Sequence, residues 1–387
     1  TFKLFYNVIF VVMIFFITLK FSPNITKKTA QILFTILIFL IVSDLLILFS
    51  EFDYDETGVY WNFSDDLTNI DLEKFPSIIW IIPDGYPSSN SLQHIASYDN
   101  SNFTNNLTNL GFEIKDIHSN YDDTVYSIGS TVNMDYLINI DKQYSMNTEV
   151  SNSRLIKLLQ SNNYELTHIN GAGSYSIEKV DNNLCETNII LKHNEFFKTT
   201  MLDFILVLSR PLYTNLMTSH VDNVECYLRE LNQLKNMDMK QKFVIAHVML
   251  PHDPYLVKNE FGSLQQLDSS VAPAKGLLGN VKIFNNELIK MLPNIIKNNP
   301  NTIILIMSDH GFKYDIDKQS QKATEFQKFR HESFLAIYLP NDFKLGDINS
   351  NVNVFRSLLQ NSSNDVPLLE DKFFHVCHME LQEIYNF

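Results

Sequence analysis

One short segment limits the fold of this 387-residue chain more than any other: an apolar run at 302–307 that ends in Ser-Asp-His-Gly at 308–311. Apolar runs of this length are typical of buried parallel strands in α/β folds. Asp309 and His310 then lie at a strand end, where open α/β sheets place their ligand sites, and Gly311 lets the chain turn away tightly. A carboxylate and an imidazole at one point predict a divalent-metal site. The alternative is a strand end with two solvated side chains.

The rest of the chain alternates between strand-like and helix-like runs. Apolar or alternating runs predict strands, and amphipathic runs between them predict helices. The predicted strands are 77–83, 111–117, 164–169, 242–250, 302–307 and 334–339, and the predicted helices lie near 89–98, from about 125, at 154–160 and at 280–297. We therefore expect an α/β fold, with a mostly parallel sheet sandwiched between helices.

Two long apolar segments precede this alternating region. They cover about 4–21 and 31–50, each close to the roughly 20 residues that a membrane-spanning helix requires, and Asn7 and Asp44 are their strongly polar interruptions. A signal peptide is the alternative for the first segment, and burial in a soluble core is the alternative for both. The segments predict two transmembrane helices. Because the chain begins at Thr1 rather than Met, the presence of further membrane spans upstream stays an open question.

The charges beside these segments predict the orientation of the chain in the membrane. Lys20, Lys27 and Lys28 lie between the two segments, whereas acidic residues cluster at 51–56. The positive-inside rule places the lysine loop in the cytoplasm and everything after residue 50 outside it. We expect a multi-pass protein of the cell membrane, with an anchor at 1–50, a linker at 51–75 and an extracytoplasmic domain at 76–387.

Net charge and cysteine content narrow the possible partners. The formal charge of -14 argues against a nucleic-acid partner, because nothing in the chain would offset repulsion by the phosphates. Cys185, Cys226 and Cys377 lack paired metal-ligand spacing. A disulfide between Cys185 and Cys226 is compatible with an extracytoplasmic domain, but three thiols do not define a disulfide framework.

Asp84 is a second candidate metal ligand. It follows the first predicted strand and precedes Gly85, so it occupies the position on that strand that Asp309 occupies on a later one. Asp-Gly pairs are also common in ordinary turns, so this signal alone is weak.

Thr124 is the candidate nucleophile. Val125, Ile128 and Val132 recur at helical spacing, which places Thr124 near a helix N-terminus. A Thr in that position can be a plain N-cap, and the preceding aspartates at 122 and 123 can fill the same role. The functional interpretation is that the helix N-terminus binds a phosphate or sulfate group, and that a metal beside the hydroxyl activates Thr124 as a nucleophile.

Four further residues are candidates for contacting an anionic substrate. His247 lies within a predicted strand, where a histidine is more often part of the core, while His252 lies in a loop bracketed by two prolines, of the kind that carries functional sites. Arg330 and His331 precede the last predicted strand and can bind an anion, although a solvated charge cluster explains them equally well.

Taken in order, these motifs resemble the alkaline phosphatase superfamily. The pattern is Asp84, then Thr124 with its Asn-Tyr lead-in at 120–121, then His252 in Pro-His-Asp-Pro-Tyr, then Ser-Asp-His-Gly at 308–311. It is most similar to the sulfatase-like, membrane-anchored branch that includes lipoteichoic acid synthases and phosphoethanolamine transferases. The resemblance covers about residues 76–345.

The resemblance implies a metal-dependent enzyme. One divalent ion (Mn, Mg or Zn) would be held by Asp84, Thr124, Asp309 and His310, with Thr124 as the covalent nucleophile. His252, and with it His247, would bind the substrate's anionic group or assist the leaving group. The expected reaction moves a phosphoglycerol- or phosphoethanolamine-type group from a membrane phospholipid to a glycan or lipid of the cell envelope.

Departures from the family pattern leave alternatives. The Cys/Ser-x-Pro-x-Arg signature of true sulfatases is absent, and so is the Asp-x-x-x-His pattern of a second metal site. The lipoteichoic acid synthase branch usually has Glu where this chain has Asp84. One metal is therefore expected, and the alternative functions are a phosphodiesterase- or sulfatase-type hydrolase that uses water and a catalytically inactive, membrane-anchored binding module.

Overall fold

The computed structural model of the protein describes residues 63, 65–67, 70–137, 150–170, 177, 180–185, 220–267, 272–312, 328–340, 342–377 and 380–384. All of them belong to one compact unit, formed by 59–195 together with 209–387. The other unit, 1–58 with 196–208, lies outside the described residues, and so do both predicted membrane spans. Within the described ranges, no helix combines the length and the apolar composition needed to cross a bilayer.

A seven-stranded mixed sheet lies at the centre of the described unit. Its strands are β1 (Ile78–Pro83), β2 (Phe112–His118), β3 (Glu165–Asn170), β4 (Asn182–Leu184), β5 (Lys242–Val248), β8 (Ile303–Met307) and β9 (Glu332–Tyr338). Their order across the sheet is β2-β9-β8-β1-β5-β3-β4. The pairs β1/β5, β1/β8, β3/β5 and β3/β4 are parallel, and β9 is antiparallel to β8 and β2. The mostly parallel α/β sheet expected from the sequence is confirmed.

Helices cover both faces of this sheet. They are α1 (Ser89–Ala96), α2 (Ser101–Asn109), α3 (Thr124–Asn133), α4 (Arg154–Ser161), α5 (His220–Gln233), α6 (Pro273–Asn298) and α7 (Val352–Leu359). Apolar residues of α3, α4 and α7 form one core with Ile78, Trp80 and Ile82 of β1. Those of α1, α2, α5 and α6 form a second core with Ile79 and Ile81 of the same strand. Because alternate residues of a strand face opposite sides, β1 contributes to both cores.

The central strands are buried on both faces, which is why they are continuously apolar. Every residue of β1 and of β8 is buried. Their pairing aligns Ile81 with Ile306, so the two strands end at the same edge of the sheet. That edge therefore receives the residues that follow each strand, including Asp84 and Asp309.

Two short hairpins complete the described structure. The first, β6 (Leu256–Lys258) with β7 (Leu264–Gln266), follows the loop after β5. The second, β10 (Phe373–Cys377) with β11 (Glu380–Ile384), lies near the end of the chain and contacts the segment before α3, where Tyr121 stacks on Phe374 with ring centroids 5.1 Å apart. The second hairpin therefore packs against the chain that leads into α3.

The sequence did not decide whether Cys185 and Cys226 form a disulfide, and in the structure this bond is present. Cys185, directly after β4, is bonded to Cys226 of α5, with 5.8 Å between their Cα atoms. The bond ties the edge strand of the sheet to a helix of the second core.

A charge network links the end of α3, the start of α4 and the middle of α7. Arg356 is fully buried, and its guanidinium donates to Asp65 Oδ2 at 2.6 Å and to the carbonyl oxygens of Met134 at 2.6 Å and Pro367 at 2.8 Å. Arg154 also binds Asp65, at 2.7 Å. Burial raises the pKa of Asp65, but the two guanidinium groups lower it further, so the net shift is downward.

We expect Arg356→Met to destabilise the protein by about 3–5 kcal/mol, since it removes one of the two guanidinium partners of Asp65 and leaves the carbonyl oxygens of Met134 and Pro367 without their donor. The free energy of unfolding from denaturant titration measures the loss. Arg229→Met is the matched control: Arg229 is exposed and pairs with Glu230 at 2.9 Å, a contact worth at most about 1 kcal/mol. Equal losses in the two variants would contradict a structural role for the network.

The same network predicts a loss of stability in acid. A carboxyl group whose pKa is lowered by folding contributes stability above its unfolded pKa and loses it as the pH falls through its folded value. The contribution of Asp65 is therefore present at neutral pH and disappears on acidification.

Candidate metal centre and active site

Two carboxylates meet where β1 and β8 end. Asp84 and Asp309 are both buried, and the backbone N–H of Gly85 donates to Asp309 Oδ1 at 2.9 Å. Gly85 has φ of +65°, a conformation that favours glycine, and this turn directs its N–H toward the neighbouring strand end. The Asp-Gly pair thus has two functions: Asp84 supplies one carboxylate, and Gly85 orients the other.

His310 lies between these carboxylates. Its Nδ1 is 2.6 Å from the carbonyl oxygen of Gly311, and because a carbonyl only accepts, Nδ1 carries the proton in the neutral ring. Its Nε2 is 3.4 Å from Asp309 Oδ2 and 3.9 Å from Asp84 Oδ1. A side chain at Gly311 would clash, since a Cβ would lie 2.0 Å from the carbonyl oxygen of Phe329. Close backbone packing therefore explains the glycine after Asp-His.

Thr124 is the first residue of α3 and is not its N-cap. Asp123 is the cap: its backbone is extended and its Oδ1 accepts from the N–H of Val125 at 3.1 Å. The Thr124 hydroxyl instead lies 3.2 Å from His310 Nε2. The helix is anchored beside the site by Ser127, whose hydroxyl donates to the carbonyl of Asp309. The sequence did not decide whether Asp122, Asp123 or Thr124 is the N-cap, and the structure assigns this position to Asp123.

The donor atoms at this point fit a divalent metal. Asp84 Oδ1 and Asp309 Oδ2 are buried and make no hydrogen bond. One ligand atom each from Asp84, Asp309 and His310 lies within 4.8 Å of the other two. Buried carboxylate oxygens without partners are costly unless a cation binds them. Around a tetrahedral zinc with bonds of about 2.0–2.2 Å, ligand atoms lie roughly 3.3–3.6 Å apart. The observed separations of 3.2, 3.4 and 3.9 Å around His310 Nε2 are of this size.

The charges of the cluster also favour a bound cation. Burial lowers the pKa of His310, but the carboxylates of Asp309 and Asp84 raise it, and the net shift is upward. The two carboxylates that raise this pKa favour positive charge in the pocket, and they would equally favour a bound cation. Nitrogen and carboxylate donors suit zinc and manganese, so the residues fit the group that the sequence predicts.

His247 and His252 take different positions. His247 is fully buried on β5, with Nε2 3.1 Å from Asp84 Oδ2. His252 lies in the loop after β5 with 38% of its side chain exposed, and its Nδ1 is 2.9 Å from Asp253 Oδ1. Asn280 of α6 holds this loop by donating to the carbonyl of His252 at 2.8 Å. His252 is thus accessible from solvent, and His247 lies behind a carboxylate of the candidate metal centre.

Arg330 and His331 precede β9, and the antiparallel direction of that strand brings them to the same edge of the sheet as Asp84. Arg330 Nη1 is 3.4 Å from Asp122 Oδ2. His331 is fully buried, with Nδ1 2.8 Å from the carbonyl oxygen of Ser119. Their contact with a substrate stays a prediction.

Asp122 and His375 form a contact that the sequence did not indicate. Asp122 is buried two residues before Thr124, where it binds the ring of His375 and accepts from the N–H of Val376 at 2.8 Å. Burial raises the pKa of Asp122, but these contacts lower it to about 2. His375 lies 253 positions from Asp122 along the chain, so no local pattern could have paired them.

Comparisons with known proteins give structural neighbours only. No family model matches the chain, and no curated protein matches it. The C-terminal periplasmic domain of EcEptC from Escherichia coli, in complex with Zn, is similar at 11% identity over 79% of this chain and 87% of that chain, with a TM-score of 0.48. The soluble domain of lipooligosaccharide phosphoethanolamine transferase A from Neisseria meningitidis is similar at 12% identity over 74% and 89%, with a TM-score of 0.45.

A structure of the integral membrane form of the Neisseria protein is also similar, at 12% identity over 91% of this chain and 66% of that chain, with a TM-score of 0.44. The neighbours include phosphoethanolamine transferases, which belong to the branch that the sequence motifs resemble. All three TM-scores are below 0.5, so these likenesses carry no functional conclusion, and the function proposed below rests on the atoms of the site.

Proposed function

We propose that this protein is a metal-dependent enzyme that transfers a phospho-substituent through a covalent intermediate on Thr124. The observation that carries the proposal is the convergence of one hydroxyl, one imidazole nitrogen and two unpartnered carboxylate oxygens. Thr124 Oγ1 and both carboxylates lie within 3.2–3.9 Å of His310 Nε2. A binding module has no need of a nucleophile in this position.

Asp84, Asp309, His310 and Thr124 would hold the metal. When bound, the ion lowers the pKa of an adjacent hydroxyl and neutralises negative charge on a phosphoryl group. Residues of the chain supply the nucleophile and the binding of the anionic group. Because Asp123 already caps α3, the Thr124 hydroxyl is not engaged as a cap and faces the centre of the site. The N-terminus of α3 favours an anionic group placed beside it.

The proposed reaction has two displacements at phosphorus. In the first, Thr124 Oγ forms a bond to phosphorus, the bond from phosphorus to the lipid oxygen breaks, and the threonine proton ends on that oxygen. In the second, an acceptor hydroxyl forms a bond to phosphorus, the bond to Oγ breaks, and the acceptor's proton returns to Thr124. With water as the acceptor, the same chemistry makes the enzyme a hydrolase.

Three residues are proposed to handle the substrate around this centre. His252 is exposed in the loop after β5, so it can protonate the leaving oxygen or bind the phosphate. Arg330, held by Asp122, offers a guanidinium that suits phosphate oxygens. His331 is proposed as a weaker contributor, since its ring is buried and one nitrogen binds a backbone carbonyl.

The proposed donor is a membrane phospholipid, and the proposed acceptor is a glycan or lipid of the cell envelope. This choice is supported by the two apolar segments before residue 51, which would hold the domain beside lipid headgroups and so concentrate a phospholipid donor. An extracytoplasmic domain also agrees with the Cys185–Cys226 disulfide, because disulfides persist in oxidising compartments.

The test is to incubate the full chain in proteoliposomes with phospholipids labelled in the headgroup, with and without a glycan acceptor. We expect metal-dependent release of diacylglycerol and label on the acceptor, both abolished by a chelator and restored by Mn²⁺ or Zn²⁺. Label released only as the free phospho-headgroup would make the protein a hydrolase. Unchanged lipid in the presence of stoichiometric metal would overturn the enzymatic proposal in favour of a binding module.

A further inference from the structure

The three side chains of the candidate metal centre share a regular arrangement. Each has one polar atom facing the centre and another close to a neighbouring polar group. Asp309 Oδ1 accepts from the N–H of Gly85 at 2.9 Å, and His310 Nδ1 lies 2.6 Å from the carbonyl of Gly311. Asp84 is the third: its Oδ2 lies 3.1 Å from His247 Nε2, while its Oδ1 makes no hydrogen bond.

His247 reaches Asp84 because of the sheet register. It lies on β5, opposite Ile82 of β1, so it is next to the end of the strand that carries Asp84. His247 and Asp84 are more than 160 positions apart in the sequence, and only the parallel pairing of β1 with β5 brings them together. The ring has no exposed surface, which makes it a poor contact for a substrate and a good support for a buried carboxylate.

We propose that His247 is a positioning residue that orients Asp84 toward the metal, an inference that rests on the proposed function. A carboxylate can rotate about χ2, so two of its orientations exchange Oδ1 and Oδ2. With His247 Nε2 3.1 Å from Asp84 Oδ2, a proton on that nitrogen would attract Oδ2 and favour the orientation in which Oδ1 faces Asp309 and His310. Partners of this kind behind a metal ligand typically contribute about 10–100-fold to metal affinity.

The alternative role, binding of the substrate's anionic group, differs in what it predicts. A substrate contact changes the KM for the donor and leaves metal affinity in the absence of substrate unchanged. A positioning residue changes metal affinity in the absence of substrate. Metal titration of the full chain without donor therefore separates the two roles.

The experiment measures Zn²⁺ and Mn²⁺ binding to the full-length protein by competition with a fluorescent chelator. We expect His247→Leu to weaken binding about 10–100-fold. His247→Gln keeps an N–H close to the position of Nε2, so it should lose less than about tenfold, below that range. His168→Leu is the matched control: His168 is also fully buried and lies on the adjacent strand β3, and its loss should leave metal affinity near that of the wild type.

A second measurement covers the case in which a variant folds poorly. Each variant's unfolding midpoint is recorded without metal and with saturating metal, so the metal-induced shift is read within one protein. A smaller shift for His247→Leu than for His247→Gln supports positioning. Equal metal affinities and equal shifts in wild type and both His247 variants would overturn the inference while leaving the metal enzyme intact. A wild-type protein that binds no metal would instead overturn the proposed function.

Discussion

Thr124→Ala should reduce turnover by about 10³-fold or more, because it removes the atom that forms the covalent bond to phosphorus. Metal binding should largely persist, since Asp84, Asp309 and His310 stay in place. Thr124→Ser keeps a hydroxyl and should retain part of the rate. After rapid quenching of wild-type enzyme with donor lipid, mass spectrometry should find the phospho-substituent on the peptide that contains Thr124.

The structure excludes a trivial explanation for such a loss. Asp123, and not Thr124, accepts the hydrogen bond from Val125 N–H at the start of α3, so the alanine variant should lose at most about 0.5 kcal/mol of stability. Thr131→Ala is the matched control on the same helix. Its hydroxyl donates to the carbonyl of Ser127 at 2.8 Å, away from the carboxylates, and its loss should preserve turnover.

Full activity in Thr124→Ala would refute the mechanism. Ser127 and Ser130 would be the next candidates on α3, although both are already engaged: Ser127 donates to the carbonyl of Asp309, and Ser130 donates to the carbonyl of Ser127 at 3.0 Å. An adduct found on either serine would move the nucleophile and keep the metal centre.

Asp309→Asn should abolish stoichiometric metal binding and turnover together. The replacement keeps a side-chain oxygen that can accept from Gly85 N–H, now 2.9 Å from Asp309 Oδ1, but it removes the charge that the cation balances. Losing a direct ligand should exceed the roughly 10–100-fold effect typical of residues that support ligands. Elemental analysis of the purified protein and turnover at saturating metal provide the two readouts.

Asp309→Ala is a harsher version of the same test. It leaves the buried Gly85 N–H without an acceptor, which costs about 1–3 kcal/mol, so a part of its effect is structural. Asp99→Asn serves as the control for removing a carboxylate, because Asp99 is a surface residue that accepts from Ser101 N–H at 2.9 Å. Metal and activity retained in Asp309→Asn would remove Asp309 from the site.

The sequence predicted well those elements whose signal is local. β1 and β8 are uninterrupted apolar runs because each is buried on both faces, and α3 carries Val125, Ile128 and Val132 at helical spacing. Helix α2 gave no such signal. α2 reads Ser-Asn-Phe-Thr-Asn-Asn-Leu-Thr-Asn, with only Phe103 and Leu107 buried, and Asn and Thr favour helices weakly. Packing of those two side chains in the second core compensates for the poor propensity.

The lengths of helices were also decided by packing. The sequence predicts a helix at 280–297, whereas α6 begins at Pro273. The additional first turns include Gly276, which lies so close to the Tyr255 ring that a Cβ would be 2.0 Å from it. A glycine that lowers helix propensity is needed here for close contact, and a local pattern cannot show that need.

The residues of the candidate centre were determined by the sequence, since each follows a strand or begins a helix whose pattern is local. Asp84, Thr124, Asp309 and His310 are brought together as that pattern predicts. What each atom does was decided by the tertiary structure. Strand register places His247 behind Asp84, and the hairpin near the end of the chain places His375 on Asp122. These contacts join residues more than 160 positions apart, and only the packed sheet fixes their distance.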